Sequence, residues 1–129
     1  MSDIKEGLLY TSEDEWIRVD GDKAIIGLTD YAQDSLSDIV YVELPEVGDT
    51  ISEGDSFGVV ESVKAAADMF MPIDGEVLEV NNALVDAPEI LNSDPYGEGW
   101  LIKITIHDAS QLENLMDPKA YSDYCDQRD

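Results

Sequence analysis

Basic residues are scarce in this chain: Lys and Arg total 7 against 30 Asp and Glu, leaving a net charge of −23 over 129 residues. Nucleic acid is thereby excluded as a partner, because phosphates need basic patches. Adsorption to an anionic membrane surface is disfavoured for the same reason. Cysteine occurs once, at Cys125, so no internal disulfide and no C-x-x-C redox pair can form. Set among polar residues near the C-terminus, that thiol reads as a spectator. His107 is the sole histidine and, without Cys or His neighbours, cannot anchor a zinc site by itself. No apolar run approaches the ~20 residues that span a bilayer. Met1-Ser2-Asp3-Ile4-Lys5 lacks both the charged and apolar regions of a signal peptide and the Arg-rich bias of a transit peptide. A cytoplasmic bacterial protein is expected, and a monomer, since self-repulsion at this charge opposes association.

Catalytic signatures are missing too. There is no Ser-His-Asp or Cys-His set, no G-x-G-x-x-G and no P-loop. With 30 acids in the chain, no single carboxylate pair is informative. A non-enzyme is expected, one that meets basic protein surfaces at rates that fall as salt rises.

What the chain does have is a hydrophobic fraction of 43%, ordinary for a globular protein and enough for a real core in one domain over 1–129. Trp16-Ile17-Arg18-Val19, the Asp20-Gly21 turn and Ala24 to Leu28 read as a hairpin. The Asp30 and Gln33 spacing predicts a capped short helix through about Leu36. Ile39 to Leu44 reads as a strand, followed by glycine turns at Gly48 and Gly54 and a further strand at Phe57 to Val60. Met69 to Met71, then Glu76 to Val80, continue the series. Residues 83–99 read as loop, with one helical turn near Pro88 to Leu91 and the proline at its first position. Trp100 to Ile106 reads as the clearest strand. Helical spacing returns at 110–115 and 118–125. Many short strands with marginal helices predict a β-sandwich or flattened barrel, with a core over about 8–108 and a helical segment over about 110–127.

Lys64 is the only basic residue between Ala24 and Ile102, a stretch with 17 carboxylates. It falls in Glu61-Ser62-Val63-Lys64-Ala65, between two strand-like runs, so it sits at a hairpin tip. Most such lysines are solvated surface charges. Here the small neighbours Ser62, Ala65 and Ala66 leave the amine open, and no nearby cation could replace it, which points to an attachment point. Acylation needs the neutral amine as nucleophile, so a dedicated ligase or transferase is expected. A weak internal echo, Gly48-x-x-Ile51-x-x-Gly54 against Gly75-x-x-Leu78-x-x-Asn81, brackets the lysine and predicts two strand-turn units about an approximate two-fold.

The residues around Lys64 carry a resemblance. Glu61-Ser62-Val63-Lys64-Ala65 resembles the lipoylation site of the glycine cleavage system H proteins. Asp14-Glu15-Trp16 is similar to that family's His-Glu-Trp, and Gly27 to Gln33 to its Gly-Ile-Thr-Asp-x-Ala-Gln segment. Val42 to Gly48, Pro72 to Val77 and Asn92 to Trp100 follow in family order, so the likeness covers roughly residues 8 to 125. It implies a mainly β, barrel-sandwich hybrid of the lipoyl/biotinyl type, with short peripheral helices and a C-terminal helix. It implies lipoate on Lys64, charged with an aminomethyl group by glycine decarboxylase, discharged by aminomethyltransferase and reoxidised by dihydrolipoamide dehydrogenase. A lipoate ligase or lipoyltransferase would install the group, with Glu61 as a recognition feature. Glu15 and Asp68 match the carboxylates that would contact the aminomethylated arm, whereas Tyr96 and Trp100 read as packing. The chain departs from the pattern at Asp14 and Tyr31, where the family commonly has histidine.

Rival readings leave different marks. Biotinyl domains flank the lysine with methionine, and 2-oxo acid dehydrogenase lipoyl domains carry Asp-Lys-Ala; this chain has Val63 and Ala65. A lipoyl-relay protein, or a non-acylated acidic interaction module of the same fold, is the remaining alternative.

Overall fold

The computed structural model describes residues 3–128. Nine strands alternate with short helices: β1 (Leu9–Tyr10), β2 (Glu15–Asp20), β3 (Lys23–Leu28), α1 (Asp30–Leu36), β4 (Ile39–Glu43), β5 (Thr50–Ile51), β6 (Ser56–Ser62), β7 (Ala66–Phe70), β8 (Gly75–Val80), α2 (Ala83–Asp86), α3 (Ile90–Ser93) and β9 (Ile102–Thr105). A 3-10 helix at Ala109–Asn114 and α4 (Pro118–Arg128) complete the described chain. All pairings are antiparallel. One sheet has the order β1-β2-β3-β9-β8-β5 and the other β4-β6-β7.

Period-two alternation explains the core. Ala24, Ile26 and Leu28 of β3 and Ile102 and Ile104 of β9 face Val42, Phe57, Val60 and Met69 of the opposite sheet in one apolar cluster. A second cluster of Leu8, Tyr10, Trp16, Tyr96, Tyr121 and Cys125 forms under α4. Cys125, read as lying among polar residues, is therefore buried; the helix turns it inward beside Tyr121.

Strand β2 serves both clusters, since Trp16 and Ile17 point to opposite faces. Gly27, opposite Trp16 in the ladder, must lack a side chain: a Cβ there would lie 2.5 Å from the indole. The indole is fixed by its N–H bond to the Pro95 carbonyl at 2.9 Å. Gly27→Ala is expected to cost about 1–3 kcal/mol through overpacking, read as a lowered urea midpoint at unchanged slope.

Four local expectations are corrected. Thr29, not Asp30, caps α1: its Oγ1 accepts from Ala32 N at 3.2 Å. Asp30 is the first helical residue and accepts from Gln33 Nε2 at 2.8 Å. The segment 83–99 holds two helices, α2 in addition to the one turn predicted near Pro88 to Leu91, because each inserts a leucine, Leu84 or Leu91, completely into the core. Pro88 precedes α3 instead of opening it. The last strand is shorter than predicted: Trp100 is held in a turn by its N–H to Gly97 O.

The internal echo has a physical counterpart and a limit. β5 pairs with β8 and β6 with β7, so both pairs are centred on Val63-Lys64. The glycines are not equivalent, however. Gly48 supplies a positive φ of 97°, while Gly75 admits the Thr105 carbonyl where a Cβ would come within 2.4 Å.

Candidate functional site

Lys64 occupies the apex of the β6–β7 hairpin and is exposed. Neither Val63 nor Lys64 has a positive φ, so the tight primed turns that favour glycine are not available here. Ser62 closes the tip instead. Its backbone N–H donates to Ala65 O at 2.7 Å, and its hydroxyl oxygen accepts from Lys64 N at 3.1 Å and Ala65 N at 3.0 Å.

The tip is braced from below. Val63 N donates to Asp38 O at 3.0 Å, and Asp38 follows Ser37, which stands at φ 71° and ψ −153°, a region that L-residues occupy only under constraint. Asn92 supplies the constraint. Its amide donates to Ser37 O and Gln33 Oε1 and its oxygen accepts from Ile39 N, each at 2.9 Å. The lysine is thus mounted on a stiff support that runs from α3 through the Ser37 bend to the hairpin.

The Lys64 ammonium donates to Ser35 O at 3.1 Å and forms no ion pair with any described residue. Ser35 lies in the last turn of α1, where carbonyls lack helical partners and a cation is favoured. A single bond from an exposed chain is weak enough to release for chemistry.

Glu61 is exposed and sits across from Tyr41 and Ala66 in the ladder. Asp68 is exposed midway along β7, with Ser56 Oγ at 3.5 Å. Glu15 is different: it is 1% exposed and lines a cleft of about 480 Å³ with Tyr10, Thr11, Phe70, Leu115 and Met116 among its walls. Thr11 Oγ1 donates to Glu15 Oε1 at 2.6 Å, and Phe70 N donates to Oε2 at 3.2 Å. Burial pushes its pKa up to about 8, against the lowering effect of those two bonds. Burial dominates because the carboxyl has exchanged bulk water for only two donors. The structure therefore ties Glu15 to the end of β7 but leaves Asp68 outside the cleft wall.

A braced, exposed lysine and a cleft with a buried acid, in a chain with no catalytic set, is the anatomy of a carrier. Comparison with known proteins agrees. The family model for glycine cleavage H-protein matches residues 8–128. This chain belongs to the glycine cleavage H-protein family. A glycine cleavage system H protein of Thermoanaerobacter sp. (strain X514) is 56% identical over 97% of this chain and 98% of its own length. The mitochondrial H protein 2 of Arabidopsis thaliana is 49% identical over 98% of this chain and 81% of its own. The crystal structure of an H protein from Mycobacterium marinum superposes with a TM-score of 0.81 at 37% identity, covering 97% of this chain and 98% of that one. As an H protein the chain is a lipoyl carrier component of the glycine cleavage system and not one of its catalysts. Among the described residues no helix is long and apolar enough to cross a membrane.

Sequence reasoning missed Asn92, Ser37 and Ser35 as parts of the lysine mount. Asn92 is quoted above only within a motif, and nothing in its neighbourhood signals three long-range bonds. It also missed that Asp14 and Tyr31, the two departures from the H-protein pattern, meet at one residue. Arg128 forms bonds of 2.6 and 3.1 Å to the two Asp14 carboxylate oxygens, and its guanidinium lies 4.0 Å from the Tyr31 ring centroid.

Proposed function

We propose that Lys64 bears the lipoyl group and that the loaded arm rests in the Glu15 cleft between visits to other enzymes. The observation that carries this reading is the exposed Lys64 amine on a braced two-residue tip, flanked by small side chains, in a chain of the H-protein family. An amine so placed fits an amide-linked group, because acylation costs only one hydrogen bond to Ser35. When attached, lipoate supplies the disulfide that takes up an aminomethyl group and is later restored by oxidation.

The chain's own residues do the rest. Glu61 marks the lysine for a lipoate ligase or lipoyltransferase. β7 runs from the tip to the cleft, about 13 Å for the four steps from Ala66 to Phe70 at about 3.3 Å each. A lipoyl-lysine of about a dozen bonds, each advancing roughly 1.25 Å, matches that span. Asp68 lies under the path, and Glu15 at its end receives the cationic amine in a site screened from water. The partners are glycine decarboxylase, aminomethyltransferase and dihydrolipoamide dehydrogenase, met by a monomeric single-domain carrier in the cytoplasm through basic surfaces complementary to its charge.

Intact mass of the full chain from a lipoate-competent host, with peptide mapping, tests the assignment. One lipoyl adduct at Lys64 is expected. A biotinyl adduct, or no adduct with the ligase present, overturns it.

A further inference from the structure

Asp14 is one of two described non-glycine residues at positive φ, at 70°, a conformation that L-residues adopt at a cost and that its contacts must offset. It precedes Glu15 directly, so whatever holds Asp14 also sets the entry of β2 into the cleft. Its backbone is tied on both sides, with Asp14 N donating to Thr11 O at 3.1 Å and Thr29 N donating to Asp14 O at 3.0 Å.

The side chain is held by α4. Arg128 presents a two-pronged bond to the carboxylate, at 2.6 and 3.1 Å. Tyr121 donates to the same group at 2.8 Å and is itself engaged by Thr29 Oγ1 at 2.7 Å. The Arg128 guanidinium is sandwiched between the rings of Tyr31 and Tyr124, at 4.0 and 4.1 Å. Tyr124 in turn donates to Ser12 O at 3.1 Å, on the rim of the cleft. The ion pair is half-buried, with side-chain exposures of 26% and 18%, and less open than the three other ion pairs among the described residues.

We propose that Arg128 is a positioning residue: by clamping Asp14 and ordering Tyr124 over Ser12, it fixes the Thr11–Glu15 turn and keeps the Glu15 carboxyl dry. The functional part of this proposal rests on the cleft reading above; the positioning part does not. Lysine in its place keeps the charge but not the planar fork or the ring stack.

The test starts with the unmodified full chain. The Glu15 carboxyl is followed by carbon NMR as a function of pH in wild type, Arg128→Ala and Arg128→Lys. In wild type the midpoint is expected well above the ordinary carboxylate range, at about 8, because the group is buried. In Arg128→Ala it is expected to fall toward the ordinary carboxylate range as water enters. The newly unpaired Asp14 charge acts the other way, as does Glu13, but burial is the largest influence on Glu15 and Asp14 the smallest. Arg128→Lys recovers part of the shift. Asp14→Ala lowers the midpoint as Arg128→Ala does, and the double variant adds nothing further, because the pair acts as one unit. An unchanged midpoint in Arg128→Ala, or additive effects of the two changes, overturns the proposal.

The lipoylated chain loaded with its aminomethyl group then supplies the second readout, with Glu15→Gln as control. Loss of the Arg128 fork is expected to shorten retention of the cargo about tenfold, as for a charge-assisted bond that no longer forms, with lipoylation of Lys64 unchanged. Should Arg128→Ala retain cargo like wild type while Glu15→Gln loses it, the functional role of Arg128 fails and the cleft reading survives. Should both retain it, the cleft reading fails, and the NMR result alone decides the positioning.

Discussion

Lys64→Arg is expected to fold normally, to accept no lipoyl group and to bring glycine cleavage to background in a system reconstituted with the other three proteins. Arginine stays protonated well above physiological pH, so it offers no nucleophile for acylation. It does keep the positive charge and can still donate to Ser35 O, the one partner of Lys64 Nζ among the described residues. The fold is thus left alone, with stability within about 0.5 kcal/mol of wild type as for an exposed substitution. Intact mass, circular dichroism and carbon dioxide release from glycine are read on one preparation. Turnover above background with an unmodified chain would end the carrier assignment.

Glu15→Gln should remove a pH dependence that is visible without any cofactor. The folded carboxyl has its pKa raised to about 8 from the ordinary 4.5, so between those values the native state holds a proton that the unfolded chain has already lost. Its stabilising contribution is complete below pH 4.5 and is lost as pH rises through 8. The slope approaches about 1.4 kcal/mol per pH unit, on the order of 5 kcal/mol over the whole window. Glutamine keeps the shape and the acceptor oxygen but never ionises. The variant and wild type should match near pH 5, and the variant should be the more stable near pH 9, by urea unfolding in a series of buffers. Parallel stability curves would place the carboxyl in water.

The same energetics bear on function. A buried acid that is costly to ionise alone becomes cheap to ionise when a cation arrives beside it. An amine entering the proposed resting site is therefore expected to expel a proton, which would favour a charged cargo over a neutral one.

Much of this molecule is legible in its sequence, for reasons that differ by element. The β2–β3 hairpin and the strands around Lys64 are readable because period-two alternation and glycine turns are local signals. The Lys64 tip is readable because one cation stands alone among acids. The helix α2 is hidden, and α3 is placed two residues early, because the turn signals of Pro88, Pro95 and the glycines near them outweigh two leucines spaced for burial. Nothing local separates Glu15 from the other acids; its burial is decided by Phe70 and Thr11, the first of them 55 residues away. The Arg128 clamp joins residues 114 positions apart and has no signature at all short of the folded chain.

The resting place of the Lys64 amine has one more consequence. α1 carries no basic residue in its last turn, so the lysine tip supplies the charge that its closing carbonyls would otherwise lack. Turning that ammonium into an amide withdraws it and takes the net charge from −23 to −24. With the proposed lipoyl amide in place, α1 is expected to lose that one contact, and amide shifts at Ser35 to Ser37 would give a spectroscopist, or an antibody raised to the bare form, a way to tell finished molecules from unfinished ones without touching the arm.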